Sequence, residues 1–155
     1  MILGIDPGLT GAMAWLDFNN NLIAVEDMPL TSYKKKKIID AHKLCFYVDI
    51  HAKTTELAAI EQVGAHPGQG VVSAFTFGVT FGMAISAVAS FNIPHTKIHP
   101  SVWKSDLNLS RDKDLSRQMA MKLWPSHLDY FKRKKDDGRA EAALIAYYIL
   151  KCIRK

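Results

Sequence analysis

Glu56-Leu57-Ala58-Ala59-Ile60-Glu61 is a short apolar run closed by an acid, and it reads as a buried parallel strand. On its N-terminal side, residues 2–6 form a second apolar run that ends in Asp6-Pro7-Gly8, a strand followed by a turn. Residues 11–17 and 21–27 look like two further strands joined by a tight turn at Asn19-Asn20-Asn21. Residues 38–51 have roughly helical spacing. Beyond the central run come a Gly/Pro turn at residues 66–70, a long apolar helix and a break at Asn92-Ile93-Pro94. Residues 95–98 would be a fifth strand, and residues 101–105, 112–123 and 138–153 helices. The expected fold is α/β: a mixed five-stranded sheet, a three-stranded antiparallel meander plus two parallel strands, flanked by helices.

The 155 residues fit one domain, residues 1–155, and a hydrophobic share of 48% allows a core without disulfide or metal staples. Cys45 and Cys152 lie in apolar stretches and read as two buried thiols of a reducing compartment. No Cys/His pattern has zinc spacing. No basic n-region or cleavage site precedes the first strand, so a cytoplasmic location is expected. Val71 to Phe91 carries no charge and is long enough to span a bilayer, with Gly78 and Gly82 in a small-xxx-small pattern. Five Ser/Thr residues interrupt it, so a central buried helix, or one that packs against its copy in a dimer, is the preferred reading and no membrane partner is expected.

A net charge of +5 favours a polyanionic partner. The basic residues are bunched into Lys34-Lys35-Lys36-Lys37 and Lys132-Arg133-Lys134-Lys135. One such run is as readily a solvated loop; two in a small chain point to phosphate contacts, to which Lys104 and Arg117 could add.

The acids carry the chemistry. Asp6 could be only a turn residue, but an ionised Glu61 at the end of an apolar strand is costly unless something compensates it. Carboxylates at the ends of neighbouring strands repel, and a divalent cation relieves the repulsion. Asp137 and Glu141 are spaced i, i+4 at the start of the last helix, on one face. They could simply complement the helix dipole. The apolar stretch after Glu141 turns that face inward instead, and four oxygen donors suit Mg²⁺ or Mn²⁺ rather than zinc.

In this order the motifs resemble the RuvC family of Holliday-junction resolvases in the RNase H-like superfamily, over nearly the whole chain. Gly4-Ile5-Asp6-Pro7-Gly8 resembles the first-strand motif. Ala59-Ile60-Glu61-Gln62-Val63 is similar to the central-strand motif, and Asp137 to Ala146 to the last helix. Phe77 to Pro94 resembles the family's long helix, His99 to Lys104 the segment after the fifth strand, and Gln69 to Gly78 looks more like the bacteriophage RuvC-like proteins. The resemblance implies a homodimer that nicks a four-way DNA junction symmetrically, and leaves open whether other branched DNA is cut as well. It implies two Mg²⁺ ions per site, with Mn²⁺ able to substitute and no organic cofactor. Asp6, Glu61, Asp137 and Glu141 would be the ligands, Asp6 bridging, and Lys113 would assist near the scissile phosphate; as a helix-start residue Lys113 is equally a surface feature.

The departures are specific. The bacterial enzyme ends in two Asp three residues apart; here Glu141 takes the last place and Gly138 the other, so the partner is Asp137, with Asp136 as its substitute. Where the family has an aromatic wedge after Glu-Gln-Val, this chain has Gly64. Phe75 and Phe77 are candidate wedges, although core packing is the preferred role of both. An RNase H-like nuclease acting on RNA and a non-cleaving branched-DNA-binding protein are the rival readings. Two-domain sugar kinases and actin-like ATPases share the first motif, but need more chain than this.

Overall fold

The structure, a computed structural model, describes residues 1–65, 67–110 and 112–154; His66, part of the expected Gly/Pro turn, lies outside them. The main sheet contains β1 (Ile2–Asp6), β2 (Ala12–Leu16), β3 (Leu22–Asp27), β6 (Leu57–Glu61) and β7 (His95–Ile98). Their spatial order is β3-β2-β1-β6-β7. The β1–β2 and β2–β3 pairs are antiparallel, and β1–β6 and β6–β7 are parallel, which is the expected mixed sheet.

Alternation along the central strands divides the core in two. Ile2 and Ala59 face a layer built from α3 (Pro100–Asp106), α4 (Lys113–Leu123) and α5 (Asp137–Ile153), with Trp103, Trp124, Phe131 and Leu144. Leu3, Ile5, Ala58 and Ile60 face α1 (Ala41–Ala52) and α2 (Val71–Ser90), meeting Leu44, Val48, Ala84 and Val88. Helix α5 lies so close on β1 that a Cβ on Gly4 would stand 2.0 Å from the Ala142 carbonyl oxygen. Only glycine permits that approach, and it brings the start of α5 to the end of β1.

Four expectations need correction. Residues 38 and 39 are not helical: β4 (Leu30–Tyr33) and β5 (Lys36–Ile39) form a separate antiparallel hairpin with Lys34 and Lys35 in its turn. The alternation there is too short and too polar to stand out from the adjoining helix. Helix α2 is not a central buried helix: only Thr80, Ala84, Ala87 and Val88 are buried, all from its midpoint onward. Phe75 and Phe77 are accordingly not core residues; they are 73% and 40% exposed. Cys45 is half-buried and Cys152 exposed, because the last turn of α5 runs past the core.

Candidate functional site

In the parallel register, Gly4 pairs with Ala59 and Ile5 with Ile60. One step further, Asp6 and Glu61 end adjacent strands on the same side as Gly4 and Ala59, the side covered by α5. Helix α5 begins at Asp137, one residue earlier than the spacing predicts, and its first two turns bring Asp137 and Glu141 over those strand ends. Glu141 is only 5% exposed, which bears out the inward face read from the apolar residues after it.

The acids respond to one another. Burial, then the charges of Glu61 and Glu141, push the Asp6 carboxyl up to about 7, against a Gly8 N–H bond and the charge of Lys113. Burial also raises the Glu61 carboxyl, opposed chiefly by the Trp103 indole. Two carboxyls raised by burial and by neighbouring carboxylate charge mark a local excess of negative charge, and such a site attracts cations.

Protein groups answer part of that charge. Lys104 Nζ donates to Glu141 Oε1 at 2.6 Å, and the Trp103 indole N–H to Glu61 Oε1 at 2.9 Å. Lys113 bonds Asp137 across from α4, a contact that raises the lysine's own affinity for its proton. Among the described residues no three His, Cys, Asp or Glu side chains close on one point, since these acids are turned toward those partners. The donor set still fits a hard divalent ion: oxygen ligands only, negative charge in excess and no sulfur or imidazole among them.

Trp103 is the site residue that sequence reasoning missed. It is fully buried, and a buried indole seeks an acceptor. The signal was a lone Trp one residue before a basic residue, on a short helix directly after a strand; its acceptor was not legible. Helix α3 is well fixed, with Pro100 in its first turn and the His99 ring accepting from Ser101 N–H.

Asp136 and Asp137 separate clearly. Asp136 is 2% exposed and accepts from the Arg133 backbone N–H at 2.8 Å and from its guanidinium, which hold its carboxyl below the usual range. It caps the turn before α5 and is turned away from the other acids. Gly138 is compelled by packing, because a Cβ there would lie 2.3 Å from the Thr10 carbonyl oxygen. The β1–β2 turn therefore excludes a side chain at 138, leaving Asp137 for the outward turn of the helix.

Of the expected phosphate contacts, Lys104 is committed to Glu141 and Arg117 to Asp114 and to the carbonyls of Phe131 and Lys132. In the second basic run Lys132 pairs with Asp129 and Arg133 with Asp136, while Lys134 and Lys135 are exposed. Lys34 to Lys37 are all exposed. A groove of about 940 Å³ runs from Glu61 past Gly64, Phe77, His99 and Lys104.

The sheet order and helix placement define the RNase H-like fold in its RuvC arrangement. RuvC of T. thermophilus in complex with a Holliday junction substrate superposes with a TM-score of 0.70 at 16% identity, over 97% of this chain and 94% of that one. The fowlpox virus Holliday junction resolvase matches with a TM-score of 0.53 at 13% identity, over 98% of each chain. In sequence, the chain is 33% identical over 88 residues to the chloroplastic Holliday junction resolvase MOC1 of Chlamydomonas reinhardtii. That match covers 54% of this chain and only 10% of that protein. No protein-family model matches the chain.

Proposed function

We propose that the chain is a divalent-metal-dependent endonuclease that resolves four-way DNA junctions and acts on other branched DNA, working as a homodimer. The observation that carries this reading is that Glu61 of β6 and Glu141 of α5 lie near enough to Asp6 of β1, at one end of the sheet, for their charges to raise its carboxyl. Three solved or curated resolvases that share the fold or part of the sequence support it.

Asp6 feels the charges of both Glu61 and Glu141, and these three acids, with Asp137 from the start of α5, would hold the metal. Two Mg²⁺ ions held there, or Mn²⁺ in their place, would supply activated water and charge stabilisation for phosphodiester hydrolysis. Trp103 fixes one oxygen of Glu61 and leaves the other for a ligand. Lys104 pairs with Glu141 and Lys113 with Asp137, so both ammonium groups stand beside the acids, where they would meet the charge of a scissile phosphate. The Glu61 groove, with Gly64 in place of an aromatic, gives the branch point room, and Phe77, which lines it, can stack on its bases.

The second copy would cover α2. Val71, Val72, Phe75 and Val79 are exposed on a helix with no charged residue, and a two-fold axis through such a face places two sites on opposite strands.

The test is cleavage of a labelled four-way junction, a linear duplex and an RNA–DNA hybrid in Mg²⁺ and in Mn²⁺. Wild type should place paired symmetric nicks in the junction alone, and Glu61→Gln should bind it without cutting. Cutting of the hybrid instead would move the protein to RNA, and junction binding with no cutting in either metal would leave a binding protein.

A further inference from the structure

The β4–β5 hairpin does little for the fold. All of β4 is exposed, and of β5 only Ile39 is buried. Neither strand joins the main sheet, and the hairpin is closed at its base by the Asp40 N–H donating to the Pro29 carbonyl. Its tip is costly. Tyr33 pairs with Lys36, so Lys34 and Lys35 form a two-residue loop, with φ of 46° and 65°. Two successive positive φ values define the turn in which Asn-Gly is preferred, because a Cβ is strained there. This chain places two lysines in it instead.

Those lysines are free of counter-charge. Among the described residues none of Lys34 to Lys37 is in a salt bridge, whereas Lys132 and Arg133 in the other basic run are. The Lys34 ammonium lies over the exposed Tyr33 ring, 5.4 Å from its centroid. A solvated turn gains nothing from four adjacent like charges on a strained backbone; a polyanion at that spot makes both useful.

The hairpin also leaves the fold at the right place. Asp6, Ala12 and Asp27 lie in one row across β1, β2 and β3. Two strand spacings separate Asp27 from Asp6, about 10 Å. The hairpin starts three residues after Asp27, and Asp27 is clamped by Arg139 of α5 at 2.6 and 2.7 Å. The base of the hairpin is thereby tied to the helix that carries Asp137 and Glu141, on the side of the acids away from the Glu61 groove.

We propose that this hairpin is a basic finger that grips the phosphate backbone of a duplex DNA arm beside the carboxylate site. The proposal rests on the nuclease reading and adds where one arm is held, by which turn, and at what cost to stability.

The decisive variant is Lys34→Asn/Lys35→Gly, which gives the turn its preferred residues and removes two charges. Thermal unfolding would be compared with binding of a fluorescent four-way junction and of a linear duplex, in EDTA over a range of salt. The variant should melt about 2–6 °C higher, as relief of turn strain in a chain this size allows. It should bind both DNAs roughly tenfold more weakly at 0.1 M salt, with a salt slope smaller by about 2. Lys36→Gln/Lys37→Gln, which leaves the turn unchanged, should weaken binding in the same way at an unchanged melting temperature. A variant that melts higher but binds as wild type overturns the finger, and so does undiminished affinity in the second pair. A loss confined to the junction would put the hairpin at the branch point and overturn the arm contact. A wild type that binds neither DNA would overturn the nuclease reading itself.

Discussion

Helix α5 buries nearly everything from Gly138 to Leu150, whereas α2, the longer helix on the opposite face of the same sheet, buries four residues and leaves Val71, Val72 and Phe75 in solvent. The closed face is packed closely enough to dictate glycine at positions 4 and 138. The open face has apolar area to spare. Chemistry needs carboxylates held to within a fraction of an ångström, and only the closed face can hold them so. Assembly needs an uncovered apolar surface, and α2 on the open face offers one. Substitutions on the two faces should therefore fail in different ways.

On the closed face the largest loss should follow Glu61→Gln or Glu141→Gln. Each removes a charge from a unit that works as a whole, and junction cleavage should fall at least about 10³-fold in single-turnover assays while junction binding persists. Trp103→Phe keeps the ring in the core and deletes only the N–H. Cleavage should drop about 10–100-fold and the metal concentration for half-maximal rate should rise, with melting nearly unchanged. If melting and activity fell together at constant metal dependence, Trp103 would be a packing residue and nothing more. Gly138→Asp creates on paper the three-residue acid spacing of the bacterial RuvC enzyme. Its Cβ would meet the Thr10 carbonyl, so it should cost about 2–3 kcal/mol, visible as a melting temperature about 5–10 °C lower, and should not rescue activity in Asp137→Asn.

The open face should behave otherwise. Val72→Asp/Phe75→Asp lies away from the core, so melting of the protomer should move by less than about 2 °C. The mass measured by light scattering should fall from dimer to monomer. An unchanged mass would mean that α2 is not the seam between copies.

The strands of the main sheet, the acid-bearing strand ends and the start of the last helix were legible in the sequence because each rests on local pattern: an apolar run closed by Asp6 or Glu61, and acids spaced i, i+4 before an apolar stretch. What was not legible depends on distant partners. The Trp103–Glu61 bond joins residues far apart in the chain. The separate duties of Asp136 and Asp137 follow from Arg133 on one side and the β1–β2 turn on the other. The uncharged run of α2 reads as core by composition, yet the sheet reaches only half of it, and no residue in the helix announces where the sheet ends. The β4–β5 hairpin was hidden because four lysines mask its alternation.

The most direct test of the account is a calorimetric titration of wild type and Glu61→Gln with Mn²⁺ at pH 8 and at pH 5.5. Asp6 is held up to about 7 from an ordinary 3.8, so its proton favours the folded state fully below about pH 4, and that contribution is lost as the pH rises through 7. Metal binding has the opposite sense, since it needs the carboxylate and competes with the proton. The account predicts binding at pH 8 that raises the melting temperature, weakens sharply at pH 5.5 and is lost in Glu61→Gln. No binding at pH 8, or equal binding in the variant, would contradict the claim that the acids of β1, β6 and α5 form one cation site.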